Sequence, residues 1–282
     1  MPVSLKEFTQ DIDNLVSLPS VGVRVNEMVN NPSSSATDIG KVISQDPALT
    51  ARLLRIANSP TYGLSTQVDT VSRAVAVIGI KRIRDLVLAT STITAFDKIP
   101  NELVTMENFW RHSLYCGLAA HLLAELRHIK NAETLFIAGL LHDIGQLVIF
   151  RKLPQEAKQA LLLSIEGPDE LALHKTEQRI IGFDHAQVGA ELLRHWHFPE
   201  LLIECVEFHH APELAQKYPV ETAIVHIANS LATLAEIDSV VEEDAVLTDP
   251  AAWSVAGLGK EMIEPTVRAA QAQFATMKNL LT

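Results

Sequence analysis

The run from Phe136 to Leu147 reads Phe-Ile-Ala-Gly-Leu-Leu-His-Asp-Ile-Gly-Gln-Leu, and its adjacent His142 and Asp143 are the pair around which chemistry could be built. Everything before His142 in this run is apolar or small, which predicts a buried helix. An ionised carboxylate in such a place is costly unless it is paired, hydrogen-bonded or bound to a metal. His142 and Asp143 are therefore either a hydrogen-bonded pair or half of a metal site. Other histidines have plainer readings when taken singly. His112 lies near a helix start, as a capped or surface histidine would. His185 follows the helix-capping Asp184, and His209-His210 stand at a helix end, where an imidazolium interacts well with the C-terminal dipole.

The elements that carry these residues all have a helical period. Ser4-Leu5-Lys6-Glu7 fits a capping box, and Leu5, Phe8, Ile12 and Leu15 follow at helical spacing. Leu18-Pro19 stops that helix, and a second runs from about Val21 to Val29. Ser35, with Asp38 three residues on, opens a third. Asp46-Pro47 is a strong start signal, because Asp caps while Pro takes the first position, where a missing N–H costs nothing. Ser72 opens another helix, and Ile83 to Ala95 continues the pattern. No cluster of His, Cys or acidic residues occurs through Ala95, so this third of the chain binds or braces.

Pro100 to Glu107 is a polar connection and marks a boundary. Beyond it, Phe109 to Leu126, Leu153 to Ile165, Leu171 to Ile181, Asp184 to Trp196 and Leu201 to Phe208 read as successive helices. After Ala235 the chain turns acidic, and Ile263 to Leu281 closes it with a helical pattern suited to packing on the core. The expected fold class is all-α. Residues 1–100 form a leading helical subdomain, 101–236 a helical bundle and 237–282 a C-terminal helical extension.

Of the 282 residues, 48% are hydrophobic and 20% charged, which suits large cores and excludes a mainly disordered chain. The formal net charge of −11 repels a phosphate backbone, so bulk nucleic-acid binding is not expected. Lys81-Arg82-Ile83-Arg84 is a local basic cluster, followed at once by Asp85, and reads as a solvated helix face. The two cysteines, Cys116 and Cys205, sit in apolar helical patterns without disulfide or metal spacing, as small core residues do in a reducing cytosol. The N-terminus has no basic region followed by an apolar core, and there is no uncharged apolar stretch of about 18 residues. A cytoplasmic protein with no membrane association is expected.

Leu18-Pro19-Ser20-Val21, Ile43-Ser44-Gln45-Asp46-Pro47-Ala48-Leu49, Leu53-Leu54-Arg55-Ile56-Ala57-Asn58-Ser59 and Ala74-Val75-Ala76-Val77-Ile78-Gly79 together resemble the HDOD family over roughly residues 8 to 235. Members are bacterial signalling output modules related to the metal-dependent HD hydrolases. The resemblance implies a leading helical segment packed on an HD-like bundle. It also assigns metal-ligand positions to His112, His142, Asp143, His185 and His209 or His210. The position of the closing aspartate of active HD enzymes is Asn229, in Ile224-Val225-His226-Ile227-Ala228-Asn229. Its neutral amide oxygen is a poorer ligand than a carboxylate.

Gln146 stands where hydrolases of cyclic dinucleotides carry a lysine after the doublet, and Ala211-Pro212-Glu213 replaces their signature loop. Both departures argue against cyclic-dinucleotide hydrolysis. The surviving imidazoles and carboxylate suit iron, manganese or zinc, as one ion or an asymmetric pair. The resemblance thus implies an output module with a degenerate metal or ligand pocket that acts on a signalling protein partner. A metal-dependent phosphohydrolase acting on a phosphoester or nucleotide is the alternative. His121, His128, His174, His195 and His197 fall in polar or mixed positions and need no ligand role; His226, one turn before Asn229, could face the same cleft.

Overall fold

The computed structural model describes residues 4–10, 16–31, 33–96, 103–166, 172–237 and 248–277. The described residues form helices and short 3-10 turns, with no strand among them. The leading segment carries α1 (Leu5–Thr9), α2 (Ser20–Asn30), α3 (Ala36–Ile43), α4 (Pro47–Ala57), α5 (Val71–Ile78) and α6 (Ile80–Phe96). Their starts follow the local chemistry. Ser4 and Glu7 cap each other reciprocally, Ser35 accepts from the Asp38 N–H, and Asp46 accepts from the Leu49 N–H ahead of Pro47. The cap of α5 is Thr70, two residues before the expected Ser72. Gly79, at φ 98°, makes the one-residue break between α5 and α6, a conformation that a side chain would strain. Ile12 and Leu15, expected on the first helix, lie outside the described residues, as does the acidic stretch from Asp238 to Asp244.

The bundle consists of α7 (Met106–Leu126), α8 (Ala132–Leu141), α9 (Ile144–Lys152), α10 (Pro154–Glu166), α11 (Leu173–Ile180), α12 (His185–His195), α13 (Glu200–Phe208) and α14 (Pro219–Ile237). Two further helices, α15 (Pro250–Ala256) and α16 (Ile263–Met277), pack on α14 and α7. The described part of α16 stops short of Leu281. The apolar cluster is continuous from Phe8 in α1 to Met277 in α16.

At the centre α7 packs against both α8 and α14, and α14 also touches α8. Every residue of α8 from Leu135 to Leu141 is buried, as expected of a helix that is apolar all round. The α7–α8 approach depends on small residues: a Cβ on Gly139 would lie 2.8 Å from the Cys116 and Gly117 backbone. Residues 132–152 are long and apolar enough to resemble a membrane span, yet they are mostly buried inside the protein. The run is two helices, α8 and α9, broken at His142-Asp143. Both cysteines are buried and free.

Candidate metal centre

The break between α8 and α9 is what aims the doublet. His142 is the C-cap of α8 and Asp143 the N-cap of α9, and both side chains point into a space closed by α7, α12, α13 and α14. The His142 Nδ1–H donates to the Gly139 carbonyl at 2.7 Å, and the His209 Nδ1–H donates to the Val206 carbonyl at 2.7 Å. A carbonyl can only accept, so each bond places a proton on Nδ1 and turns Nε2 toward the site. His185 is held in the same sense by a carboxylate. Its Nδ1 lies 2.6 Å from Glu177 Oε2, and its backbone N–H donates to the same oxygen at 2.9 Å.

Asp143 lies between these imidazoles. Its Oδ1 is 3.1 Å from His185 Nε2 and 3.6 Å from His209 Nε2, and its Oδ2 is 3.3 Å from His142 Nε2. His210 approaches from the cleft, with its Nε2 2.9 Å from His185 Nε2. On the far side, His112 Nε2 lies 3.0 Å from Asn229 Oδ1 and 4.0 Å from Asp143 Oδ2, and the His112 Nδ1–H donates to Glu236 Oε2 at 3.1 Å. All seven residues expected from the sequence therefore converge. Their donor atoms form two clusters that share Asp143. One is Asp143, His185, His209 and His210; the other is Asp143, His112 and His142, with the ligand atoms of each within 4.8 Å of one another.

The donors fit a cation. His142 Nε2, His209 Nε2 and Asp143 Oδ1 are buried without a hydrogen-bond partner of adequate geometry. Orphaned buried polar atoms are expensive, and these three fall within the two clusters that share Asp143, as the donors of a metal site would. Nδ1 protons held by carbonyls or a carboxylate are the usual outer support of ligating histidines. Burial pushes His209 down to about 4, and burial with the neighbouring imidazoles holds His210 well below the usual range, so both keep free lone pairs near neutrality. Burial works against charge on Asp143, but the His142 imidazole overcomes it and holds the carboxyl well below its ordinary value. Burial is likewise overcome at His185, which Glu177 and Asp143 push up to about 10.

Around these groups lies a cleft of about 330 Å³ whose lining includes Gln146, His174, Asn229, Ser230 and Thr233. No lysine or arginine occurs among its described lining residues. His226 borders it, but its ring nitrogens are taken: Nδ1–H donates to the His209 carbonyl at 2.7 Å, and Nε2 accepts from the Asp249 N–H at 3.0 Å. It ties the end of α13 to the start of α15. Sequence reasoning missed three residues here. Glu177 and Glu236 were not marked as partners of histidines, and His174, set aside with the polar-face histidines, stacks on His210 with ring centroids 4.1 Å apart. Glu177 precedes His185 by only eight residues and was the most findable.

The all-helical bundle thus closes on a shared aspartate and five histidines. Residues 15–212 match the HDOD domain family, and the chain belongs to it. An uncharacterised protein of Treponema pallidum (strain Nichols) is 27% identical over 221 residues, which cover 77% of this chain. The alignment spans 42% of that relative's length. Among solved structures, a "putative phosphohydrolase" from Shewanella amazonensis SB2B superposes with TM-score 0.75 at 25% identity, covering 98% of both chains. A "putative signal transduction protein" from Marinobacter aquaeolei VT8 gives TM-score 0.70 at 21% identity, covering 98% of this chain and 64% of that one.

Proposed function

We propose that the protein is a cytoplasmic signal-transduction output module that retains a divalent-metal pocket and acts through protein contacts rather than turnover. The observation that carries this reading is the chemistry of the cleft. Phosphoester substrates need positive charge at the phosphoryl oxygens, and beyond a bound ion the described lining offers imidazoles, amides, hydroxyls and the Asp143 carboxylate but no lysine or arginine. Gln146 and Asn229 are neutral at two positions that would matter most.

In this reading residues 1–100 present the surface that meets a signalling partner, 101–236 hold the pocket, and 237–282 buttress the bundle. Asp143, His185, His209 and His210 would hold one iron, manganese or zinc ion, and His112, His142 and Asp143, with Asn229 beside them, a weaker one. A bound ion supplies Lewis acidity. The chain's own part is to hold the Nδ1 side of His142, His185 and His209 so that the three Nε2 atoms face the pocket, and to keep Asp143 ionised between them.

One observation favours a second reading, a metal-dependent phosphohydrolase acting on a phosphoester or nucleotide: both ligand clusters persist around Asp143. Elemental analysis with a substrate panel separates the two. The expected result is bound iron, manganese or zinc, lost in Asp143→Ala and His185→Ala, with no turnover of phosphomonoesters, phosphodiesters or nucleotides. Metal-dependent turnover abolished by Asp143→Ala would replace the output-module reading.

A further inference from the structure

The two ligand clusters are built alike in one respect that the ligands themselves do not show. Each has an imidazole whose Nδ1 proton is held by a carboxylate from a helix outside the ligand set or two turns along it. In the first cluster that pair is His185 and Glu177, at 2.6 Å; in the second it is His112 and Glu236, at 3.1 Å. Glu236 is on α14, seven residues after Asn229, and seven residues bring a helix back to nearly the same face. The His112 ring bridges these two levels of α14, with Nε2 against Asn229 Oδ1 and Nδ1 against Glu236 Oε2.

We infer that Glu236 is the positioning residue of the Asn229 half. By accepting the Nδ1 proton of His112 it supplies, one imidazole further out, the negative charge that Asn229 lacks, and it keeps this half able to hold a second, weaker divalent ion. The inference rests on the metal reading given above.

The charge balance supports it. Without Glu236, the cluster of His112, His142, Asp143 and Asn229 carries a single carboxylate, and that one is shared with the other half. With Glu236, each half has the shared Asp143 and one outer carboxylate. A carboxylate on Nδ1 also polarises the ring and makes Nε2 a stronger donor toward a cation. The halves are still unequal. Glu177 is buried and gives one oxygen to both His185 contacts, whereas the Glu236 side chain is 19% exposed and its Oε1 also meets Arg111 Nε at 3.3 Å. Solvent and the guanidinium both dilute its effect on His112.

The test is a Co²⁺ titration of the chelator-treated full chain, followed by the d–d absorption bands and by calorimetry. The wild-type protein is expected to take two equivalents with separable affinities. Glu236→Gln is expected to weaken the second by about 10- to 100-fold, the usual effect of losing an outer partner, and to leave the first unchanged. Asn229→Asp added to Glu236→Gln is expected to restore the second equivalent, because it returns a carboxylate to the half itself. Restoration is a result that a purely structural role for Glu236 would not produce, and the thermal melts of the metal-free variants check that each is folded. Three results overturn the inference while leaving a one-metal pocket intact: a wild type saturating at one equivalent, a second equivalent indifferent to Glu236→Gln, or no restoration by Asn229→Asp. A wild type that takes no cobalt overturns both this and the metal reading.

Discussion

His185 shows how much of this centre lies in hydrogen bonds to atoms that touch no ligand. Its ring has only two nitrogens, and Glu177 takes the Nδ1 proton, which leaves Nε2 for the cluster. Glu177 is itself almost fully buried, and its other oxygen has no hydrogen-bond partner of adequate geometry, so its charge is answered mainly by His185. Glu177→Gln keeps the shape but can present an N–H where the carboxylate accepted. Metal affinity of the Asp143, His185, His209 and His210 cluster is expected to fall by about 10- to 100-fold, as read by competition with a fluorescent zinc chelator. An unchanged affinity would mean that His185 is oriented by packing alone.

At the scale of elements, the decisive contact is α9 against α12. Gly145, two residues after Asp143, lies so close to α12 that a Cβ there would stand 2.0 Å from the His185 carbonyl oxygen and 2.5 Å from the Gly189 N. Backbone cannot yield as a flexible side chain does, so the helices would have to separate. Since α9 carries Asp143 at its start and α12 carries His185 at its start, separation also opens the first cluster. Gly145→Ala is expected to cost about 3 kcal/mol or more in urea unfolding, and to weaken metal binding as well. A variant with a wild-type urea midpoint would show that the crossing yields enough to admit a methyl group. Asp184 fixes the other side of this contact: it accepts from the Gln187 N–H in a reciprocal cap and so sets where α12 begins.

For the whole molecule, the candidate ligands come from α7, the α8–α9 break, α12 and the end of α13, so an ion bound among them would bind the folded chain and have little to hold in the unfolded one. Mass action then raises stability by about 2.7 kcal/mol at a free metal concentration 100 times the dissociation constant. The Tm of the chelator-treated protein is expected to rise on adding manganese, iron(II) or zinc and to fall again with chelator. Asp143→Ala should show no such response, because both clusters lose their shared carboxylate. Equal shifts in wild type and Asp143→Ala would place the stabilising metal elsewhere. The leading segment is tied to this same region. Phe8 of α1 packs on Phe183, two residues before His185, with ring centroids 4.9 Å apart, and its carbonyl accepts from Lys152 at the end of α9.

The helical class, most helix starts and the doublet were legible in the chain itself, because caps, Pro and Gly punctuation and the apolar period are local properties. Asp46-Pro47 and Ser4 with Glu7 form the caps that their spacing predicts, and the apolar run before His142 is the buried α8. The resemblance supplied the scattered positions from His112 to Asn229, which no local pattern joins. Only the tertiary structure decided which of them meet, which nitrogen of each imidazole faces inward, and what lies behind it. Glu236 comes to His112 from 124 residues away, and His226 turns out to be a strut because both its nitrogens meet backbone. Hydrogen bonds of that kind depend on packing between helices, at angles and distances that no residue's own neighbours in sequence encode.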